Sequence, residues 1–179
     1  MDNVVKAKHV DISRIETASP RAIINGKSYN FTLLYNEYES LTVQLPRCQL
    51  YTGLYESDGK CYCELLLPSD GITSDLYYRI AAKLEKLVKE KRVDLADVTF
   101  VGHLRRMSTG SGSNLLRLKL PQNKSSIQTE VVSREGNKLS FAQFTKGATV
   151  IPIVALDNVY VINKTLGFNL LLKQAVVLE

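Results

Sequence analysis

The sequence predicts a mainly β fold, a barrel or sandwich that carries one amphipathic helix at about residues 73–91. Three observations predict it. Short segments alternate apolar and polar residues with period two, as in LTVQL (41–45) and NLLRLKL (114–120). Turn signals separate them, the strongest being Asp58-Gly59 within ESDG, because glycine accepts a positive φ at no steric cost. A single stretch has helical spacing instead, with Leu76, Ile80, Leu84, Leu87 and Val88 on one stripe.

Residues 1–20 mix charge with short apolar runs and end at Ser19-Pro20, which reads as an N-terminal arm with room for one strand. Residues 21–179 read as a single β-rich domain. KSYNFTLL (27–34) alternates around Tyr29, Phe31 and Leu33, and Leu41, Val43 and Leu45 share one face. Gln49–Tyr55 and Lys60–Leu67 flank the ESDG turn as a hairpin. Thr73, Ser74 or Asp75 can cap the helix, and KEKR (89–92) places cations at the negative end of its dipole as a solvated terminus. Beyond Asp97 the chain returns to strands: TFVGHLRR, NLLRLKL, Ile127–Val132, SFAQFTKGA, TVIPIVALDNVYVIN and GFNLLLKQAVVLE. Pro152 cannot donate to a sheet ladder, so it marks an edge or a bulge. Phe31, Phe100 and Phe168 are expected in the core.

With 179 residues and 45% apolar content, the chain can bury a real core. No apolar run approaches the ~18–20 residues of a membrane span, and the charged N-terminus lacks the apolar centre of a secretory signal. Three cysteines, Cys48, Cys61 and Cys63, are an odd set that fits a reducing, intracellular location, where they serve as small core hydrophobes. The net charge of +5 is uneven. Residues 1–100 hold 13 Lys+Arg against 14 Asp+Glu, and residues 101–179 hold 10 against 4. A basic half of this kind suits an acidic partner, nucleic acid before a membrane surface.

Catalytic patterns are missing. Gly26-Lys27-Ser28 resembles the end of a phosphate-binding loop, but that motif needs a glycine where Arg21 stands. The Ser/Gly loop STGSGS (108–113) lacks dinucleotide-binding spacing. Only His9 and His103 are present, far apart, and the acids of the second half are scattered, so no metal or cofactor set assembles and no enzyme is expected.

In an extended strand, Leu116, Leu118 and Leu120 face the core, and Leu115, Arg117 and Lys119 share the other side. Arg117 and Lys119 then stand about 7 Å apart, twice the strand rise, close to phosphate spacing on an extended strand. Arg105 and Arg106 lie just across the Ser/Gly loop, and one or both join the patch if 98–106 pairs with 114–120; the loop itself can close over a bound strand. Lys124, Lys146, Lys164 and Lys173 add charge where topology brings them near. Tyr51, Tyr55 and Tyr62, clustered at the ESDG hairpin, are the candidates for stacking on unpaired bases.

Four stretches, LTVQLPRCQLYTGLYE, NLLRLKLP, TKGATVIPIVALDNVYVINK and TLGFNLLLKQAVVL, together resemble the single-stranded-DNA-binding proteins of nucleocytoplasmic large DNA viruses. The resemblance covers most of residues 40–178, although Leu171 or Leu172 stands where that family's final strand carries an aromatic. It implies an OB-like barrel and non-specific binding of single-stranded DNA in viral replication, in host cytoplasm or a replication factory. It also implies a basic groove at Arg117, Lys119, Lys146, Lys164 and Lys173. The expected function is therefore sequence-non-specific single-stranded-DNA binding in replication, recombination or repair. RNA is a second possible strand, self-association along the strand fits the class, and no cofactor is implied. The alternatives are a structural or protein-interaction module with a basic docking face, and duplex binding through charge alone.

Overall fold

The computed structural model describes residues 4–23, 28–107, 113–124 and 126–178. It is mainly β, with one α-helix among the described residues. Five strands close a barrel: β1 (Cys48–Leu50), β2 (Lys60–Leu66), β3 (Asn114–Leu120), β4 (Thr149–Ile162) and β5 (Thr165–Val177). β1 lies antiparallel to β2, and β2 antiparallel to β3. β3 meets β5 in parallel at Lys119–Leu171, β5 runs back along β4, and β4 closes the ring on β1 at Val150–Cys48. The order 1-2-3-5-4, closed on itself, is OB-like.

Period-two patterning decides which side chains enter. Leu116, Leu118 and Leu120 of β3 are buried with Cys63 and Leu65 of β2, Val150 and Val154 of β4, and Leu172 of β5. Cys48, Cys61 and Cys63 are all buried free thiols, as expected of core residues, and burial pushes the Cys48 thiol up to about 12. Leu115 is also buried, although it points to the outer side of β3 opposite Leu66.

The helix α1 (Ile72–Lys91) covers the barrel. Leu76, Tyr77 and Ile80 lie against Leu116, Val154, Leu156 and Leu170 and leave a void of only 30 Å³. Its start differs from expectation. Gly71 takes the left-handed conformation at φ 73°, and Asp70 Oδ1 accepts from the Ile72 N–H at 2.9 Å. Thr73, Ser74 and Asp75 therefore fall inside the helix, and Ser74 Oγ instead accepts from the Asn114 amide at 2.9 Å. The far end is not simply solvated. Lys91 donates to the Thr17 carbonyl, and the Arg92 guanidinium lies 4.1 Å over the Tyr29 ring while bonding Asp94 at 2.7 Å.

β4 organises the rest. One edge pairs with β5 along its length. The other edge meets β1, then Leu41–Gln44, then Ser28–Tyr35. Two register shifts against β5, at Ile153/Val154 and Leu156/Val159, bend it between these partners. Pro152 sits where the edge passes from β1 to Leu41–Gln44, beside the first shift, and its carbonyl accepts from the Leu45 N–H at 2.9 Å. The N-terminal segment is tied into the sheet by two strands. Val4–Lys6 runs parallel to Leu41–Gln44, and Ile15–Thr17 lies antiparallel to Ser28–Tyr35 with Ile15 fully buried. The expected strand at SFAQFTKGA is a 3-10 turn, Phe141–Gln143, because Ser140 Oγ accepts from the Ala142 N–H at 3.2 Å and captures the backbone. TFVGHLRR divides in two: Thr99–Phe100 pairs with β5 and Leu104–Arg106 with β3. The break is at Gly102, where a Cβ would stand 2.4 Å from the Tyr77 hydroxyl.

Candidate functional site

The outer faces of β2 and β3 carry the constellation. Register places Tyr62 opposite Lys119 and Glu64 opposite Arg117. The segment Tyr55–Ser57 folds back on β2 through Asp58 (φ 53°) and Gly59 (φ 69°), a tight turn with two positive φ angles, as ESDG requires. That turn sets Tyr55 opposite Tyr62, with ring centroids 5.9 Å apart and planes 30° from parallel. The Arg117 guanidinium carbon lies 3.8 Å from the Tyr62 centroid and 5.9 Å from that of Tyr55. Its buried Nε has no hydrogen-bond partner among the described residues. Burial pushes the Tyr55 phenol up, and the charge of Arg117 opposes that rise.

Beside Arg117 a pocket of about 310 Å³ opens, lined by Lys60, Arg117, Lys119, Tyr62, Tyr160 and Asn169 among others. Among the described residues no carboxylate lines it. Three full positive charges thus share one concavity with two tyrosines. Tyr160 owes its position to Gly167 across the β4–β5 ladder. A Cβ there would stand 2.5 Å from the Tyr160 hydroxyl oxygen and 2.6 Å from its ring carbon Cζ. His103 also lines the pocket, with Nε2 at 3.1 Å from the Phe168 carbonyl, an acceptor, so the neutral ring carries its proton there. Burial holds the His103 pKa below its ordinary value, and the Arg117 charge lowers it further.

The other expected residues distribute unevenly. Arg105 shares this face, opposite Leu115, but donates to both carboxylate oxygens of Glu64 at 2.8 and 3.0 Å. Lys146 holds its ammonium 5.7 Å from the Tyr51 centroid, and the Tyr51 N–H donates to the Glu64 carbonyl at 2.8 Å. Arg106 pairs with Asn114 in register and so belongs to the opposite face. Lys124 stands at φ 55° in the turn joining Gln122–Asn123 to Ser126–Ile127. Lys164, in the β4–β5 turn, is ion-paired with Asp97. Lys173 is the extra residue of a bulge on β5, between Leu172 opposite Val154 and Gln174 opposite Ile153. None of these last four lines the pocket. Residues 108–112, most of the Ser/Gly loop expected to close over a strand, lie outside the described residues, as does Lys27 of the Gly-Lys-Ser segment.

Lys60, His103, Tyr160 and Asn169 escaped the sequence reading. The lone glycine of TLGF was the available signal, since a strand glycine often marks a close approach by a neighbour. Among the described residues no group of three or more His, Cys, Asp or Glu could hold a metal ion, and no helix is long and apolar enough to cross a membrane. The chain matches no protein-family model and no curated protein.

Proposed function

We propose that this chain binds single-stranded DNA without regard to overall base sequence, in replication, recombination or repair. The observation that carries the reading is the 310 Å³ pocket, where Lys60, Arg117 and Lys119 meet Tyr62 and Tyr160 with no lining carboxylate among the described residues. Cations that track phosphates beside aromatic rings that accept bases are the two components of single-strand binding. The location agrees. OB-like barrels bind oligonucleotides on the β2–β3 face and on the loops joining β1 to β2 and β4 to β5. Tyr62, Arg117 and Lys119 occupy that face here, and Tyr51 and Tyr55 stand in the β1–β2 connection. The resemblance to viral single-strand-binding proteins supports the same reading and is the sole support for a viral setting.

Fluorescence anisotropy with a labelled oligothymidylate, a matching duplex and an RNA, each at several salt concentrations, tests it. Single-strand preference is expected. If the three pocket cations each neutralise one phosphate, log affinity should fall against log salt with a slope of about −2. Absence of binding at low salt overturns the proposal and leaves a basic face for docking a protein. Equal affinity for duplex and single strand removes the stacking component.

A further inference from the structure

We propose that the pocket beside Arg117 holds one base of the bound strand, unstacked from its neighbours, with the Asn169 amide meeting the base edge. This inference rests on the single-strand reading of the same site. Asn169 lines the pocket from β5, and its side-chain amide has no hydrogen-bond partner among the described residues. An amide offers two donors and an acceptor, so it can satisfy the mixed donor and acceptor edge that bases present. A phosphate offers only acceptors and would leave the amide oxygen unused.

The walls agree with a base. Tyr62 and Tyr160 bring rings to the pocket, and Ile162, which is 46% exposed, adds apolar surface at the same site. A phosphate alone has no use for such surface, whereas an unstacked base needs it in place of the neighbouring bases it has left. Gly167 gives the arrangement room. By lacking a Cβ it lets the outer end of the Tyr160 ring lie over β5, next but one to Asn169. Lys60, Arg117 and Lys119 line the same pocket and so can hold the phosphates flanking the inserted base. Binding then remains tolerant of sequence along the strand while one nucleotide is gripped by its base.

The test uses labelled oligothymidylate just long enough to fill the site, together with versions carrying one abasic position at each place in turn. Wild-type protein should lose affinity by roughly tenfold at one position, on the scale of one stacked base, and less elsewhere. Asn169→Ala should bind the complete oligomer several-fold more weakly than wild type and bind the abasic one equally well. A thermal melt of each variant checks folding, and Asn169→Ser supplies a second variant should the alanine protein melt early. A uniform abasic penalty along the strand overturns the base pocket, as does an Asn169 loss that is the same for complete and abasic strands. In both of those outcomes wild-type, salt-sensitive binding of the oligomer persists. Its absence overturns the single-strand reading itself, and the two failures are thereby distinguishable.

Discussion

Arg117 lies over Tyr62, its guanidinium carbon 3.8 Å from the ring centroid, although the residue directly opposite Tyr62 in the ladder is Lys119. The contact is therefore diagonal, within reach of a long side chain on a sheet. It turns Arg117 away from Glu64, its direct cross-strand partner, and Glu64 is taken by Arg105 instead. The result is one neutralised arginine and one whose charge is left for a ligand, set side by side on the same face.

Because its guanidinium is planar and lies on an aromatic ring, Arg117 can meet a phosphate through its donors and present a flat surface to a base. Arg117→Ala should weaken oligonucleotide binding by roughly tenfold and flatten the salt slope by about 0.7, the share of one phosphate on a single strand. Arg117→Lys should restore the slope without restoring the affinity, since an ammonium carries the charge and not the plane. Anisotropy titrations across salt separate the two. Full recovery of affinity by lysine would reduce Arg117 to a point charge.

Glu64 is the acid that restrains this face. It is 9% exposed and accepts three bonds from the Arg105 guanidinium. Glu64→Gln removes the negative charge while keeping the shape, so Arg105 becomes available to phosphate. The expected outcome is several-fold tighter binding of single strands and a salt slope steeper by about 0.7. A loss of affinity instead would mean that the pair is needed to hold Arg105 and β2 in place.

The barrel was legible because inward and outward residues alternate within one segment. Leu116, Leu118 and Leu120 against Arg117 and Lys119 could be read from β3 alone, and Asp58-Gly59 from its own turn chemistry. The pocket was not legible, because it is assembled by register between distant segments. β3 meets β5 at Lys119–Leu171, and Tyr160 meets Gly167 across the β4–β5 ladder. No local pattern says that Asn169 will line the same pocket as Lys60. The same limit governs the arginine pair. Neighbours in sequence, Arg105 and Arg106 must point to opposite faces once their segment pairs as a strand, so only one of them could join the patch. Glu64 then claims that one through a contact 41 residues apart.

His103 gives the site a pH dependence whose sign is fixed by its surroundings. Burial holds its pKa below the ordinary histidine value, the Phe168 carbonyl opposes that shift and the Arg117 charge adds to it, so the neutral ring is favoured. A phosphate held by the cations that line the same pocket favours the charged ring and raises that pKa, so affinity should climb as pH falls through the histidine range. Folding stability of the free protein should move the other way. The unfolded chain takes up the proton at the ordinary value while the folded chain resists it, so stability declines as pH falls from about 6.5 through the lower folded value. Titrations between pH 5.5 and about 7.5, the range of ordinary histidine titration, with thermal melts of the free protein alongside, should show opposite trends, and His103→Gln should reduce both. Affinity that is flat with pH in the wild type would place the bound phosphates away from His103.

Gly167 and Tyr160 make the last test, because their relationship is steric and can be reversed. A Cβ at residue 167 would come within 2.5–2.8 Å of three Tyr160 atoms, closer than packed atoms tolerate. Gly167→Ala should therefore destabilise the fold by about 1–3 kcal/mol, the usual cost of overpacking. It should also displace the tyrosine ring that lines the pocket and so weaken single-strand binding. Tyr160→Ala removes the clash. If the contact is the cause, Gly167→Ala made in the Tyr160→Ala background should cost far less stability than it does alone, and the double-mutant cycle should show a coupling of about 1 kcal/mol or more. Denaturant unfolding of the four proteins measures it. Simple additivity would mean that Gly167 is needed for its own backbone rather than for the ring, and the pocket wall would then have to be held by other contacts.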